Sequence, residues 1–349
     1  VVVLGGNGYV AGEALRLLAG HPVFRVAAVA STSRAGTPVV AAFPHLRGAL
    51  DPDLAFRDES DLPALFRAGE PVGVLAATPH GATAALLDRV LSNAEAAGAD
   101  VRAVDLSADF RFADAARYQA VYGHPHGAPA RIPQFTCAVP EHFAGAPVLH
   151  ATQPGCFTTA VTMAAWPFFR AGLVGDDVFA AAVTGSSGSG RTPSEGTHHP
   201  ERHGDLRAYG WLAHRHEPEM AMLLGAARDG VEPDVAFVPH SGPFVRGIHA
   251  TVRMTLKAPA SAAEMAAVAA QAYAGAPLVH VGTTPPRLVE VVGTNRCVLG
   301  IATRGRTLVV ASVIDNLAKG AAGGGIQWMN RQFGLSDACG LGLGGPGWF

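Results

Sequence analysis

The 349 residues carry 26 basic and 28 acidic side chains, a formal charge of -2, and 49% of them are hydrophobic against 15% charged. That balance excludes a disordered chain, and the mixing of both signs without runs excludes a broad basic surface for nucleic acid or an acidic membrane. The length exceeds one ordinary hydrophobic core, so two domains and a small-molecule partner are expected. The four cysteines, Cys137, Cys156, Cys297 and Cys339, stand far apart without a CxxC pair, which suits reduced thiols rather than a disulfide framework or zinc knuckle. The chain opens without a basic region ahead of an apolar stretch of signal length. No apolar run reaches membrane-spanning length either, so a cytoplasmic location is expected.

Residues 1–4 read as an apolar strand, followed by a glycine turn and a helical pattern over Tyr9–Ala19; residues 24–30 complete a βαβ unit. Strands over 73–77 and 102–106, with a helix over 82–97 between them, continue the alternation that builds a doubly wound parallel sheet. A helix then runs from 156 to 171, and strand-like segments follow at 178–184, 235–238, 248–256 and 308–314. Long connections between those strands predict an α+β second domain. A helix begins near Glu217. The expected fold is therefore α/β, a doubly wound nucleotide-binding first domain over roughly 1–150 and an α+β second domain.

Gly5, Gly6, Asn7, Gly8, Tyr9 and Val10 lie between the first strand and the first helix, where backbone amides and a helix N-terminus can hold a pyrophosphate. Ala11 stands where the dinucleotide fingerprint has its third glycine, a replacement the fingerprint tolerates. Such a turn also serves plain helix-sheet packing, and its strand-turn-helix setting favours the nucleotide. The second strand ends in Ala30-Ser31-Thr32-Ser33-Arg34, with no acid to bond a ribose 2′-hydroxyl. Ser31, Ser33 and Arg34 suit a 2′-phosphate instead, so NADP is expected over NAD, although Arg34 also reads as an ordinary loop arginine.

Cys156 follows Pro154-Gly155 and precedes an apolar helical run. Its sulfur should thus sit near a helix N-terminus, where the macrodipole lowers a thiol pKa. A lone cysteine in an alanine-rich chain is more often a small buried hydrophobe, and here the nucleotide turn and the histidines reverse that reading. His214-Arg215-His216-Glu217-Pro218-Glu219 offers two imidazoles, one of which should face Cys156 as acid and base; a surface loop capping the next helix is the competing reading. His198, His199 and His203 raise the thought of metal. No cysteine or carboxylate cluster completes a site, so no metal is expected.

These features together resemble the N-acetyl-gamma-glutamyl-phosphate reductases of arginine biosynthesis, within the semialdehyde dehydrogenase superfamily. The resemblance spans nearly the whole chain. It rests on residues 8–13 (Gly-Tyr-Val-Ala-Gly-Glu), 44–46, 79–81 (Pro-His-Gly), 105–111 (Asp-Leu-Ser-Ala-Asp-Phe-Arg), 154–160 (Pro-Gly-Cys-Phe-Thr-Thr-Ala), 187–191, 214–219, 246–248 and 315–320. It implies that Cys156 captures the acyl group of an acyl phosphate as a thioester that NADPH reduces to a semialdehyde, and that His214 is the acid-base residue. It also implies that Ser187, Gly188 and Arg191, with His216, lie by thiol and substrate, and that Asn316 lies near the nicotinamide. Glycines at 188 and 190 let amides approach an anion, and Arg191 can neutralise a leaving phosphate. Pro79, His80 and Gly81 follow a strand at the carboxyl edge of the sheet and are assigned to the cofactor. It further implies a Rossmann-type first domain (1–155 with 316–349), an α+β catalytic and oligomerisation domain (156–315), a last helix running to Asn330 that returns to the first domain, and a homodimer or homotetramer.

Phe157-Thr158-Thr159 stands where the family usually has Tyr-Pro-Thr, and residues 197–202 are closer to reductases of carrier-linked aminoadipyl or glutamyl phosphate, whose partner is an acidic carrier protein. That leaves the acyl group open between the free and the carrier-linked substrate. A non-catalytic NADP-binding sensor, the reading from another class, would need neither Cys156 nor His214.

Overall fold

The computed structural model describes residues 1–145, 148–342 and 344–347. Two compact units divide the chain: Val1–Pro140, Ala144–Pro154 and Ala321–Leu341 form the first, and Gly155–Gly320 with the short segment Glu141–Phe143 form the body of the second.

In the first unit the elements run β1 (Val2–Leu4), α1 (Tyr9–Ala19), β2 (Ala28–Ala30), α2 (Val39–Ala42), β3 (Phe56–Arg57), β4 (Pro71–Ala76), α3 (Thr83–Ala96), β5 (Asp100–Asp105), α4 (Ala115–Tyr122), β6 (Phe135–Cys137) and β7 (His150–Thr152). The strands form one sheet in the order β3-β2-β1-β4-β5-β7-β6, and each of these pairings is parallel. Helices on both faces bury such strands completely, and so β1 and β2 carry only buried apolar residues. The order reverses at β1 and β4, and the crevice beyond the carboxyl ends of these two strands is where such sheets take ligands.

The strand expected over 24–30 shortens to Ala28–Ala30. His21 is the reason: its Nδ1 accepts from the amides of Val23 and Phe24, and the Phe24 ring stacks on the imidazole at 4.4 Å, so these residues form a turn. The short β3, β6 and β7 were not expected at all; two or three residues cannot display a period.

The second unit contains α5 (Cys156–Arg170), β8 (Val174–Thr184), α6 (His199–Arg202), β9 (Arg207–Ala208), α7 (Glu217–Ala226), β10 (Asp234–Ser241), β11 (Ile248–Leu256), α8 (Ala262–Ala272), β12 (Val279–Gly282), β13 (Cys297–Arg304) and β14 (Thr307–Ile314). Its sheet is mixed, in the order β12-β13-β14-β11-β8-β10-β9. The α5 helix packs on β11 and β14 with residues 157–165 all buried, as a helix apolar on every side requires. Along β8 and β11 buried residues alternate with half-exposed or exposed ones, so one sheet face is covered and the other open.

The segment 315–320 stays with the second unit, beyond the division expected at 316. Arg246 forks onto the buried Asp315 at 2.9 and 3.0 Å, Asn316 bonds Gly247 and Ser187, and Lys319 pairs with Glu141. After it, α9 (Gly323–Gln332) packs in the first unit against β5, β7 and α1, and Trp328 Nε1 donates to the Ala138 carbonyl. The C-terminal helix thus returns to the first sheet.

Candidate active site

In the first unit the turn after β1 and the loop after β4, two of the segments expected to hold the cofactor, meet at the ends of these strands. Gly5 adopts φ +71°, and a Cβ there would lie 2.6 Å from the Thr78 side chain, so the turn needs glycine both for its conformation and for its closeness to the β4 loop. The Asn7 amide donates to the Gly5 carbonyl, which tightens the turn. Gly8 is the N-cap of α1, no side chain caps that end, and nothing lies within 4 Å of a Cβ placed on it. Tyr9 at the head of the helix is 42% exposed, and Val10 follows it. Uncapped amides facing open space are what a pyrophosphate requires.

Ser31 ends β2, buried, with its Oγ 3.4 Å from that of Ser33, and Thr32–Arg34 forms one 3-10 turn that leaves Arg34 half-buried. Arg57, which sequence reasoning passed over, sits in register with Ala30 on the neighbouring β3. Only pairing of a two-residue strand brings it to this corner.

The Pro79-His80-Gly81 loop is exposed but firmly anchored. Buried Asp109 accepts from the Gly81 amide at 2.7 Å, the Ala84 amide at 2.9 Å and the Tyr118 hydroxyl at 3.2 Å, while the Ala108 amide donates to His80 Nδ1 at 3.0 Å. Asp105 accepts from the amides of Ser107 and Phe110, and burial pushes its carboxyl up to about 6. The 105–111 motif is therefore a brace for this loop. Its two aspartates were not singled out from sequence, because nothing local shows where their carboxylates point.

In the second unit Cys156 is the first residue of α5, partly exposed, behind an N-cap Gly155 that no side chain caps. The Gly155 amide donates to buried Glu219 Oε1 at 2.7 Å, and Gly320 packs its backbone on the Cys156 Cβ. Both expected histidines arrive here. His214 and His216 lie 4.7 Å apart and flank the Phe157 ring at 5.6 and 6.1 Å. They differ in what their nitrogens do. The His216 amide donates to His214 Nδ1 at 3.1 Å, so neutral His214 carries its proton on Nε2. Burial, then the neighbouring Arg215 charge, lowers its pKa to about 4. His216 turns its Nε2 toward Gly155, 2.4 Å from where a Cβ would stand, which only glycine permits. Tyr209, missed from sequence, packs its ring 5.8 Å from His214, and burial followed by the charge of the Cys156 sulfur raises its pKa.

The remaining expected residues fall into two groups. Ser187 is buried, its hydroxyl donating to the Val245 carbonyl at 2.6 Å and accepting from Asn316 Nδ2 at 3.0 Å, while Asn316 Oδ1 accepts from the Gly247 amide at 2.8 Å. These two fasten the loop after β8 to the segment after β14. Gly188 and Arg191 beyond it are exposed. His199 and His203 lie 5.1 Å apart, and among the described residues no three His, Cys, Asp or Glu side chains gather as metal ligands.

Residues 1–135 match the semialdehyde dehydrogenase NAD binding domain, and residues 156–316 match the semialdehyde dehydrogenase dimerisation domain. The chain belongs to the semialdehyde dehydrogenase family. It is 39% identical to the N-acetyl-gamma-glutamyl-phosphate reductase of Pseudomonas paraeruginosa over 98% of this chain and 97% of that one. Identity to the reductase of the same name from Methanopyrus kandleri is also 39%, with the same coverage. Among solved structures, aspartate semialdehyde dehydrogenase II of Vibrio cholerae, complexed with ASA, superposes with a TM-score of 0.66 at 15% identity over 95% of this chain and 97% of that one. The aspartate semialdehyde dehydrogenase of Candida albicans, solved with NADP, gives 0.59 at 16% over 96% and 98%. Those likenesses carry the fold. As a semialdehyde dehydrogenase the chain has an NAD(P)-binding first unit and a mixed-sheet second unit.

Proposed function

We propose that this semialdehyde dehydrogenase reduces N-acetyl-gamma-glutamyl phosphate to the 5-semialdehyde in arginine biosynthesis, using NADPH and a thioester on Cys156. The observation that carries the reading is a partly exposed thiol at the uncapped N-terminus of α5 with an imidazole nitrogen against the preceding residue, in a chain 39% identical to reductases of that name. The helix terminus favours the thiolate. His216 takes the thiol proton before attack and returns it when the sulfur leaves. This assignment moves the acid-base role from His214, whose Nδ1 already accepts an amide. His214 instead offers its Nε2-H as a fixed donor for the oxyanion, a contribution of about 3 kcal/mol for one well-placed donor. Sulfur attack on the acyl carbon forms the thioester and expels phosphate, whose charge Arg191 can meet from the exposed loop.

The α1 terminus with Gly5, Asn7, Gly8, Tyr9 and Val10, the braced loop at Pro79, His80 and Gly81, and Ser31, Ser33 and Arg34 fit a dinucleotide bearing a 2′-phosphate. When bound, NADPH supplies the hydride that takes the thioester to the aldehyde level. Asn316 acts by holding the Ser187 loop. Cys156→Ser should abolish turnover, measured backwards from semialdehyde, phosphate and NADP, while NADPH still binds by fluorescence titration; near-normal turnover would sink the mechanism. Arg34→Asp should raise the KM for NADPH about 10- to 100-fold, the scale of a lost charged hydrogen bond, and leave that for NADH unchanged or lower. An equal rise for both cofactors would refute the assignment.

We further infer a homodimer closed through the open face of the second sheet. Cross-strand neighbours Ala236, Phe179, Arg253, Val309 and Ala302 form one row there, and Phe179 is 43% exposed. This open face mixes apolar side chains with Arg253, which pairs with Asp177, and such a face is suited to a second copy. No helix among the described residues is long and apolar enough to cross a membrane, and a biosynthetic reductase with free thiols suits the cytoplasm.

A further inference from the structure

The HRHEPE run at 214–219 delivers more than imidazoles to the thiol. Glu219 lies in the first turn of α7, fully buried, and its Oε1 accepts from the Gly155 amide 64 residues away in sequence. One turn of chain thereby grips the residue before the nucleophile twice: the His216 ring occupies the place of a Gly155 side chain, and Glu219 takes its amide. Glu217 ties the same turn to β10 by accepting from the Phe237 amide at 3.1 Å. Proximity to the α7 N-terminus makes a buried carboxylate tolerable.

We propose that Glu219 is a positioning residue for catalysis, holding the Pro154-Gly155-Cys156 turn so that the sulfur stays at the amide end of α5 and in register with His216. The other titratable groups at this turn are His214, Arg215 and His216 before α7, Glu217 at its start, Tyr209 after β9, and Lys319, paired with Glu141, next to Gly320. A carboxylate near a thiol acting as charge alone opposes the thiolate. A carboxylate that fixes the turn favours it, so the two roles predict opposite signs.

The test uses the full chain and follows iodoacetamide alkylation of Cys156, identified by peptide mass, against pH, together with kcat and the KM for NADPH. Glu219→Ala should lower kcat about 100-fold, the cost of a misplaced reacting group, with the KM little changed, and should raise the alkylation midpoint by about one pH unit. Glu219→Gln keeps a carbonyl acceptor at the same reach, so it should recover most of that kcat loss with its midpoint at or below the parent's. Where the alanine variant fails to fold, Glu219→Asp retains the charge but loses the reach, and its midpoint should still rise. A midpoint that falls equally in the alanine and glutamine variants would reduce Glu219 to a charge; kcat and melting temperature falling together with fixed midpoints would reduce it to packing. The proposal rests on Cys156 as nucleophile, but alkylation reads the thiol whatever reaction it serves, so its failure is distinguishable from a failure of the Cys156→Ser test.

Discussion

Cys156 and Cys297 show how placement, not residue type, suits a thiol to the nucleophile's role proposed for Cys156. Cys297 is buried in β13 beside the Ser312 hydroxyl, and burial pushes its thiol up to about 12, whereas Cys156 opens a helix and is partly exposed. The Pro-Gly step before Cys156 made its helix-start position legible in the sequence. The division of labour between the histidines was not legible, because it depends on which ring nitrogen already accepts a backbone amide. That difference has a pH signature. The folded pKa of His214, about 4, lies below the ordinary 6.5, so the unfolded chain binds more protons between these values. The stabilisation from keeping His214 neutral is present above pH 6.5 and is lost as pH falls toward 4. The stability difference between the parent and His214→Asn should shrink by about 2 kcal/mol from pH 8 to pH 5, as urea unfolding would measure. An unchanged difference would contradict a neutral, enclosed His214.

At the scale of elements, long apolar segments such as Ile248–Leu256 announced themselves by alternation, and Cys156–Arg170 by its continuous apolar run. Two-residue and three-residue strands did not, and the expected strand at 24–30 failed because one imidazole bends the chain. The same kind of reach explains the 105–111 motif, whose Asp109 carboxylate caps the start of α3 and fixes the loop that precedes it. Asp109→Ala leaves two amides without their acceptor. It should cost about 2 to 4 kcal/mol of stability and raise the KM for NADPH about tenfold, with kcat at saturating cofactor largely kept. Thermal unfolding and steady-state kinetics on the same preparation check both parts, and an unchanged KM would release the 79–81 loop from the cofactor site.

For the whole molecule, the second sheet carries one covered and one open face, and the row through Phe179 on the open face is where the proposed dimer is tested. Phe179→Glu should shift the mass seen in sedimentation to that of the single chain while the far-ultraviolet circular dichroism stays the same; an unaltered mass would move the interface elsewhere. The amino-acid sequence by itself determined the glycine turn for a dinucleotide, the thiol at a helix start and the histidine run, because each is a local pattern of conformation and charge. Only the tertiary structure decided that the His216 ring abuts Gly155, that Glu219 accepts from the Gly155 amide and that Asp109 braces the 79–81 loop. Those roles depend on directional bonds between residues tens of positions apart, and folding alone brings such donors and acceptors within reach.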